Sequence, residues 1–179
     1  LHADWCVNRW GRGIVTLDAH KDMAMPPLPR LGIMLPVERS MRHVTYYGYG
    51  PDESYIDKRE HCYVDMFQAE VEDLHENYIR PQENGSHYHC RYVSLENEKY
   101  RLLAEADNYL DFNVSDYTVE ELAGKRHNFE LEPASGSLLS LDARMMGIGS
   151  NSCGPDLPEE FLRDEAHTVW KVQLQIEEL

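Results

Sequence analysis

The segment His167-Thr168-Val169-Trp170-Lys171-Val172-Gln173-Leu174-Gln175-Ile176 decides the fold class of this chain. Its bulky apolar side chains, among them Trp170, Val172 and Leu174, recur at every second position. A strand alternates its side chains between two faces, whereas a helix repeats every 3.6 residues. The segment therefore predicts a β-strand with one buried face.

Similar strand-like segments recur along the chain, and turn-forming residues separate them. We predict strands over residues 13–20, 31–37, 44–49, 71–78, 88–95, 100–106, 112–114, 137–146 and 167–176. Turn signals rich in Gly, Pro, Asn and Asp lie at residues 25–27, 50–52, 84–85, 135–136 and 154–155. Many short strands with such spacing are typical of an all-β antiparallel sandwich, and residues 1–179 are expected to form one such domain.

One short helix is expected within this β-rich chain. Ser115 or Thr118 can cap it, Glu120 and Glu121 fall in its first turns, and Gly124 ends it. Residues 57–75 show weak periodicity and mixed charge, and we interpret them as a long irregular connection.

The acidic composition excludes several classes of partner. The 179 residues include 17 basic and 32 acidic side chains, for a formal charge of -15. Nucleic acid and anionic membranes both attract basic surfaces, so neither is an expected partner. A neutral sugar is compatible with the surface, although the charge can equally serve solubility alone. No apolar run approaches the roughly 18 residues that span a bilayer.

The four cysteines form no paired motif. Cys6, Cys62, Cys90 and Cys153 lie far apart in the sequence and are expected to be free thiols. Free thiols favour a reducing compartment.

Five phrases concentrate polar and turn-forming residues between the strand-like segments. They are LPRLG at residues 28–32, YGYGPDESYIDKR at 47–59, RPQENG at 80–85 with CRY at 90–92, FNVS at 112–115, and MGIGSNSCGP at 146–155. Loops of this composition between strands are common positions for binding residues.

In this order the phrases resemble the C-terminal β-sandwich domain of large bacterial β-galactosidases of glycoside hydrolase family two. The likeness covers residues 28–171, with Lys58 as an insertion before Arg59. The resemblance implies a galactose-mutarotase-like supersandwich, of which this chain would be the latter portion. It also implies a parent enzyme that hydrolyses terminal β-galactosides such as lactose, in the bacterial cytoplasm.

The resemblance implies no catalytic residue and no metal site in this chain. In the family, both catalytic glutamates and the magnesium ligands lie in a separate barrel domain, where sodium is also expected. Acidic neighbours such as Glu120/Glu121 and Glu159/Glu160 are expected on a helix start and on a solvated face. Retaining glycosidases need two carboxyl groups about 5–5.5 Å apart, flanking the scissile bond.

The same resemblance assigns a substrate-binding role to the loop that contains Asn151, Ser152, Cys153 and Gly154. Many members place a tryptophan in this loop, where it stacks on the leaving-group sugar, and Cys153 occupies that position here. A thiol offers a smaller contact surface than an indole, so stacking on the aglycone should weaken. The alternative is that residues 151–155 form only a turn.

Two further patterns have a structural and a functional interpretation. Residues 80–85 could bind sugar, or could bind backbone and hold the domain against the barrel; Asn84-Gly85 is a tight hairpin signal. His87 and His89 would share one strand face, with Cys90 on the other. Together with His61 they suggest a zinc site only weakly, because such sites need three or four ligands.

Three roles for the chain remain open at this point. It can complete the aglycone side of a β-galactosidase while packing on the catalytic barrel. It can be a stand-alone carbohydrate-binding module that uses aromatic side chains such as Trp5, Trp10 and Trp170. It can be a structural small subunit that associates with a large chain. A homo-oligomer is expected, because strands that precede Leu1 in the family are missing and uncovered sheet edges pair with other edges.

Overall fold

A computed structural model describes residues 1–149 and 154–179. These residues form nine antiparallel strands: β1 His2–Val7, β2 Arg12–His20, β3 Arg30–Val37, β4 His43–Gly50, β5 Tyr63–Glu70, β6 His87–Glu96, β7 Tyr100–Ser115, β8 Ser137–Met145 and β9 His167–Glu178. One α-helix, α1 Val119–Gly124, and three short 3-10 turns, Val71–Leu74, Asn128–Glu130 and Glu159–Phe161, complete the fold. The predicted all-β antiparallel class is confirmed.

The sheet is organised around β7. Seven strands follow the order β1-β2-β9-β7-β6-β4-β5. Along one edge β7 pairs with β6, while its other edge pairs first with β9 and then, from Asp111 onward, with β8. Strand β3 extends this branch by pairing with β8. The two predicted strands at 100–106 and 112–114 are therefore one strand whose partner changes midway.

The core lies on one face of the sheet, as the alternation in β9 predicts. Val15 of β2 is opposite Val172 of β9, and both are fully buried. Farther across the sheet, Val44 of β4 is opposite Leu95 of β6, again fully buried. Burying side chains of this size stabilises the fold by roughly 1.5–3 kcal/mol each relative to exposure.

The prediction of an irregular connection over residues 57–75 is wrong, because β5 lies within it. Within the part of the chain that the structure describes, β5 is an edge strand that pairs only with β4, and both Tyr63 and Met66, on opposite faces, are exposed. A strand with apolar side chains on both faces shows no alternation. Residues 71–74 form a 3-10 turn rather than the predicted strand, with Val71 and Leu74 buried.

The prediction that His87 and His89 share a strand face is also wrong. The register of β6 against β7 shifts between His87 and Cys90, and His89 adopts a left-handed φ of 57°. This bulge turns His87 and Cys90 both inward, where each is buried. His87 and His89 therefore do not form one side of the zinc site that the sequence suggested.

Helix α1 follows its predicted capping pattern. The Thr118 hydroxyl accepts a hydrogen bond from the Glu121 amide at 3.0 Å, and the helix ends at Gly124. No helix among residues 1–149 and 154–179 is long and apolar enough to cross a membrane. Within the same residues Cys6, Cys62 and Cys90 are free thiols, as expected.

Candidate functional site

The five sequence phrases meet at one end of the sheet, around the start of the loop after β8. Two backbone bonds fix the first residues of this loop: the Met146 amide donates to Pro29 O at 3.0 Å, and the Gly147 amide donates to Phe161 O at 2.9 Å. The loop therefore leaves the sheet in a defined direction.

Asp57 holds the next two residues of the loop. Its carboxylate accepts the Ile148 amide at 3.1 Å through one oxygen and the Gly149 amide at 2.8 Å through the other. Hydrogen bonds to an ionised carboxylate are stronger than neutral ones. Asp57 thus clamps the backbone directly ahead of residues 150–153.

Two glycines permit this clamp. A Cβ on Gly147 would stand 2.5 Å from Cγ of Asp57, so a larger residue would displace the carboxylate. Gly149 has a φ of +74°, which L-residues with side chains adopt only with strain. The Gly-x-Gly spacing is therefore required by the approach of Asp57 and by the turn that follows.

A short bridge positions Asp57 itself. The Tyr55 amide donates to Lys58 O at 2.8 Å, and the Lys58 amide donates back to Tyr55 O at 3.1 Å. The Tyr55 ring is almost fully buried and anchors the bridge in the fold. Asp57 lies at the tip of this tight turn and faces the loop.

Glu53, four residues earlier, joins the second phrase to the third. The carboxylate is 5% exposed and accepts from Lys58 Nζ at 2.5 Å, from the Tyr78 hydroxyl, and from the Gly85 amide at 2.9 Å. Burial opposes the ionisation of Glu53, yet these donors together hold its pKa below the usual range. Glu53 is therefore a buried, ionised, fully occupied carboxylate.

The RPQENG phrase forms a structural loop and not a β-hairpin, so the prediction of a tight hairpin at Asn84-Gly85 is wrong. Asn84 is buried and accepts the Glu76 amide at 3.0 Å, while its side-chain amide donates to Gln82 O at 2.8 Å. Gly85 has a φ of +71° and passes so close to Leu74 O that no Cβ fits. The side-chain amide of Asn113 in the FNVS phrase donates to Asn84 O.

Arg30 ties the LPRLG phrase to the same region. Its guanidinium donates to both oxygens of Asp142, at 3.2 and 2.6 Å, and reaches Glu83 at 3.4 Å. Burial raises the pKa of Glu83, and the nearby Arg30 only partly opposes that shift. Arg30 therefore links β3, β8 and the RPQENG loop, and Glu83 binds within the domain.

One pair of buried carboxylates deserves comparison with a glycosidase site. Asp111 and Asp142 are opposite each other on β7 and β8, and both are buried. Asp111 accepts the amides of His89 and Met145, each at 2.8 Å; burial nevertheless raises its pKa to about 6. Arg30 and these two amides bind the two carboxylates inside the fold, so neither carboxylate can reach a sugar.

The substrate-binding residues expected from the sequence fall mostly outside the described residues. Asn151, Ser152 and Cys153 lie in the segment 150–153, while Gly154 is described and is half-buried in a bend. The structure brings the residues that precede this segment against Asp57. Sequence reasoning missed that contact because 91 residues separate Asp57 from Ile148.

Comparisons with known proteins support one family. A model described as "Beta galactosidase small chain" matches residues 2–175. A protein named beta-galactosidase from Actinobacillus pleuropneumoniae is 40% identical over 151 residues, which is 84% of this chain and 15% of that protein. Another so named from Staphylococcus xylosus is 38% identical over 171 residues, which is 96% of this chain and 17% of that protein.

The match is extensive for this chain and partial for its relatives. A beta-galactosidase from Vibrio cholerae is 31% identical over 179 residues, and the chain spans 17% of it. The five phrases that meet around Asp57, Glu53 and Arg30 all lie within the matched residues. The chain therefore belongs to the beta-galactosidase small-chain family.

Proposed function

We propose that this chain is the C-terminal part of a retaining β-galactosidase of glycoside hydrolase family two, acting on terminal β-galactosides such as lactose. In this proposal the chain packs on a catalytic barrel and lines the aglycone subsite. The observation that carries it is the Asp57 clamp on Ile148 and Gly149, within a chain of this family. A loop held at its base is suited to present a binding surface to another domain.

The proposed contact with substrate is made by Asn151, Ser152, Cys153 and Gly154. The clamp fixes the backbone immediately before them, and a binding loop on a rigid base loses less entropy when a ligand orders it. With a thiol rather than an indole at position 153, we expect weak stacking on the leaving-group sugar.

The chemistry is assigned to the parent and not to this chain. The buried carboxylates Glu53, Asp111 and Asp142 are each bound inside the fold, which suits structural roles. The acid and nucleophile that retention requires are expected in the barrel, as is magnesium. No magnesium chemistry is assigned to the residues described here.

An exposed apolar surface supports packing against the rest of the enzyme. Trp5 is opposite the buried Val15 and faces the core side of the sheet, yet it is 55% exposed. Val7 and Ile176, on the same side, are also exposed. Large apolar side chains exposed together on one face of a sheet are typical of an interface. We propose that the parent covers it, completing a galactose-mutarotase-like supersandwich in a cytoplasmic homo-oligomer.

Complementation tests this function. The purified chain alone should not turn over a chromogenic β-galactoside, whereas mixing it with the remaining part of the parent should restore turnover. A Trp5→Glu variant should reassociate poorly, and Val119→Glu, at an exposed position on α1, should behave like wild type. Turnover by the isolated chain, or no association with the remainder, would contradict the proposal.

The stand-alone carbohydrate-binding module remains a second candidate, because Trp10 is 69% exposed at a turn. The guanidinium of Arg9 lies 4.3 Å from the centre of its ring, and the exposed part of the ring is available to stack on a sugar. Titration of the isolated chain with galactose, followed by tryptophan fluorescence, separates the two. Saturable binding favours the module, and its absence favours the enzyme part.

A further inference from the structure

Two histidines and an aspartate meet on the outer face of the sheet, far from the core. Asp18 and His20 are two residues apart on β2, so they project to the same face, and His167 of β9 is directly opposite His20. All three side chains are substantially exposed. None of them takes part in the contacts around Asp57 and Glu53.

The three side chains converge on one oxygen. His167 Nε2 lies 2.9 Å and His20 Nε2 lies 3.2 Å from Asp18 Oδ1. The two imidazole rings stack with centroids 4.0 Å apart and planes 8° from parallel. One ligand atom from each residue can be chosen so that all three lie within 4.8 Å of one another.

This separation suits a transition-metal ion. Zinc binds imidazole nitrogen and carboxylate oxygen at about 2.0–2.2 Å, which places tetrahedral ligand atoms roughly 3.3–3.6 Å apart. The two observed nitrogen–oxygen distances, 2.9 and 3.2 Å, are hydrogen-bond lengths somewhat shorter than that separation. Small rotations of the exposed side chains would open room for the ion without moving the backbone.

The backbone around the site is fixed. The ladder between β2 and β9 is regular from Arg12 to His20, and the Lys21 amide continues it by donating to Ala166 O at 2.9 Å. His20 and His167 are thus held in register by bonds on both sides. Because the backbone is already ordered, binding of an ion needs to fix only the three side chains.

We propose that Asp18, His20 and His167 form a binding site for a divalent transition-metal ion such as zinc. Two imidazoles and one carboxylate favour such an ion over magnesium, which prefers oxygen ligands. Three protein ligands leave the remaining coordination position to water. The bound ion cross-links β2 and β9.

The test is a zinc titration of the untagged chain by isothermal calorimetry. We expect one zinc ion per chain and no response to magnesium. Removing even an outer-shell partner of a metal ligand costs roughly 10–100-fold in affinity, so His167→Ala and Asp18→Asn should each weaken zinc binding at least about tenfold. Zinc should also raise the thermal midpoint of the wild type and not that of His20→Ala.

His43→Ala is the matched control. His43 is a half-exposed strand histidine whose Nδ1 lies 3.2 Å from the Glu70 carboxylate, and within the described residues it belongs to no group of three such ligands as close together as Asp18, His20 and His167. This variant should bind zinc like the wild type. The proposal is overturned if the wild type does not bind zinc, or if binding survives the double substitution of His20 and His167 by alanine.

Discussion

Replacing Glu53 by glutamine should destabilise the chain far more than removing an exposed ion pair. The buried carboxylate of Glu53 accepts from Lys58, Tyr78 and the Gly85 amide. Glutamine has nearly the same shape but leaves the Lys58 ammonium without its counter-ion and turns one acceptor into a donor. Removing one partner of a buried pair costs about 3–5 kcal/mol. Because Lys58 is 41% exposed, we expect about 2–3 kcal/mol here.

Urea unfolding of the isolated chain measures this loss. With a slope near 2 kcal/mol/M, the midpoint of Glu53→Gln should fall by roughly 1–1.5 M. Glu72→Gln is the matched control: Glu72 binds Arg42 at 2.5 Å, but its side chain is 64% exposed. That variant should lose less than about 1 kcal/mol. Equal losses of unfolding free energy in the two variants would refute the claim that the buried Glu53 stabilises the fold more than an exposed ion pair does.

The pH dependence gives an independent check. The folded pKa of Glu53 lies below its ordinary value of 4.5, so the ionised group stabilises the fold above that pH. The stabilisation is lost as the pH falls through the lower folded pKa. The difference between wild type and Glu53→Gln should therefore stay constant from pH 7 to about 5 and narrow below 4.5. A difference that grows on acidification would contradict the assigned charge.

Two further predictions concern the cysteines. In the reconstituted parent, Cys153→Trp should tighten the binding of glucose as acceptor by up to about tenfold, since an aromatic contact is worth about 0.5–1.5 kcal/mol. Inhibition by a galactose analogue should change less than about twofold. Equal changes in both measurements would place Cys153 away from the acceptor subsite. In a Cys153→Ser chain, a thiol reagent should modify the exposed Cys6 rapidly. Burial raises the pKa of Cys90 well above its usual range, so the reagent should modify Cys90 only when the chain unfolds. Rapid modification of Cys90 in the folded chain would contradict its burial.

The sequence predicts the strands that have one apolar and one polar face. In β9, Trp170 and Val172 are buried as the alternation requires. β5 was missed because an edge strand with Met66 exposed on one face and Tyr63 on the other has no buried face to impose alternation. His89 was misplaced because a bulge depends on the neighbouring strand, where Asp111 accepts the His89 amide.

The candidate site could be predicted as a set of phrases but not as a set of contacts. The sequence singled out residues 146–155 as turn-forming, and only the structure shows that Gly147 and Gly149 are needed for the approach of Asp57 and for the turn that follows. Nothing local to residue 57 indicates that partner. Likewise Asp18 and His20 are near in sequence, but only the pairing of β2 with β9 adds His167.

The most direct test of the central claim, that the Asp57 clamp positions an aglycone-binding loop, is the kinetics of Asp57→Asn in the reconstituted parent. Asparagine keeps one acceptor oxygen for the loop amides but loses the charge. The clamp should therefore weaken by about 1 kcal/mol, which corresponds to a roughly fivefold change in an equilibrium constant. Asp65→Asn is the control, since among the described residues Asp65 accepts only the adjacent Met66 amide. We expect galactosyl transfer to glucose to fall about fivefold in Asp57→Asn while inhibition by galactose changes less than about twofold. Equal effects on acceptor and galactose, or no effect on either, would contradict the account.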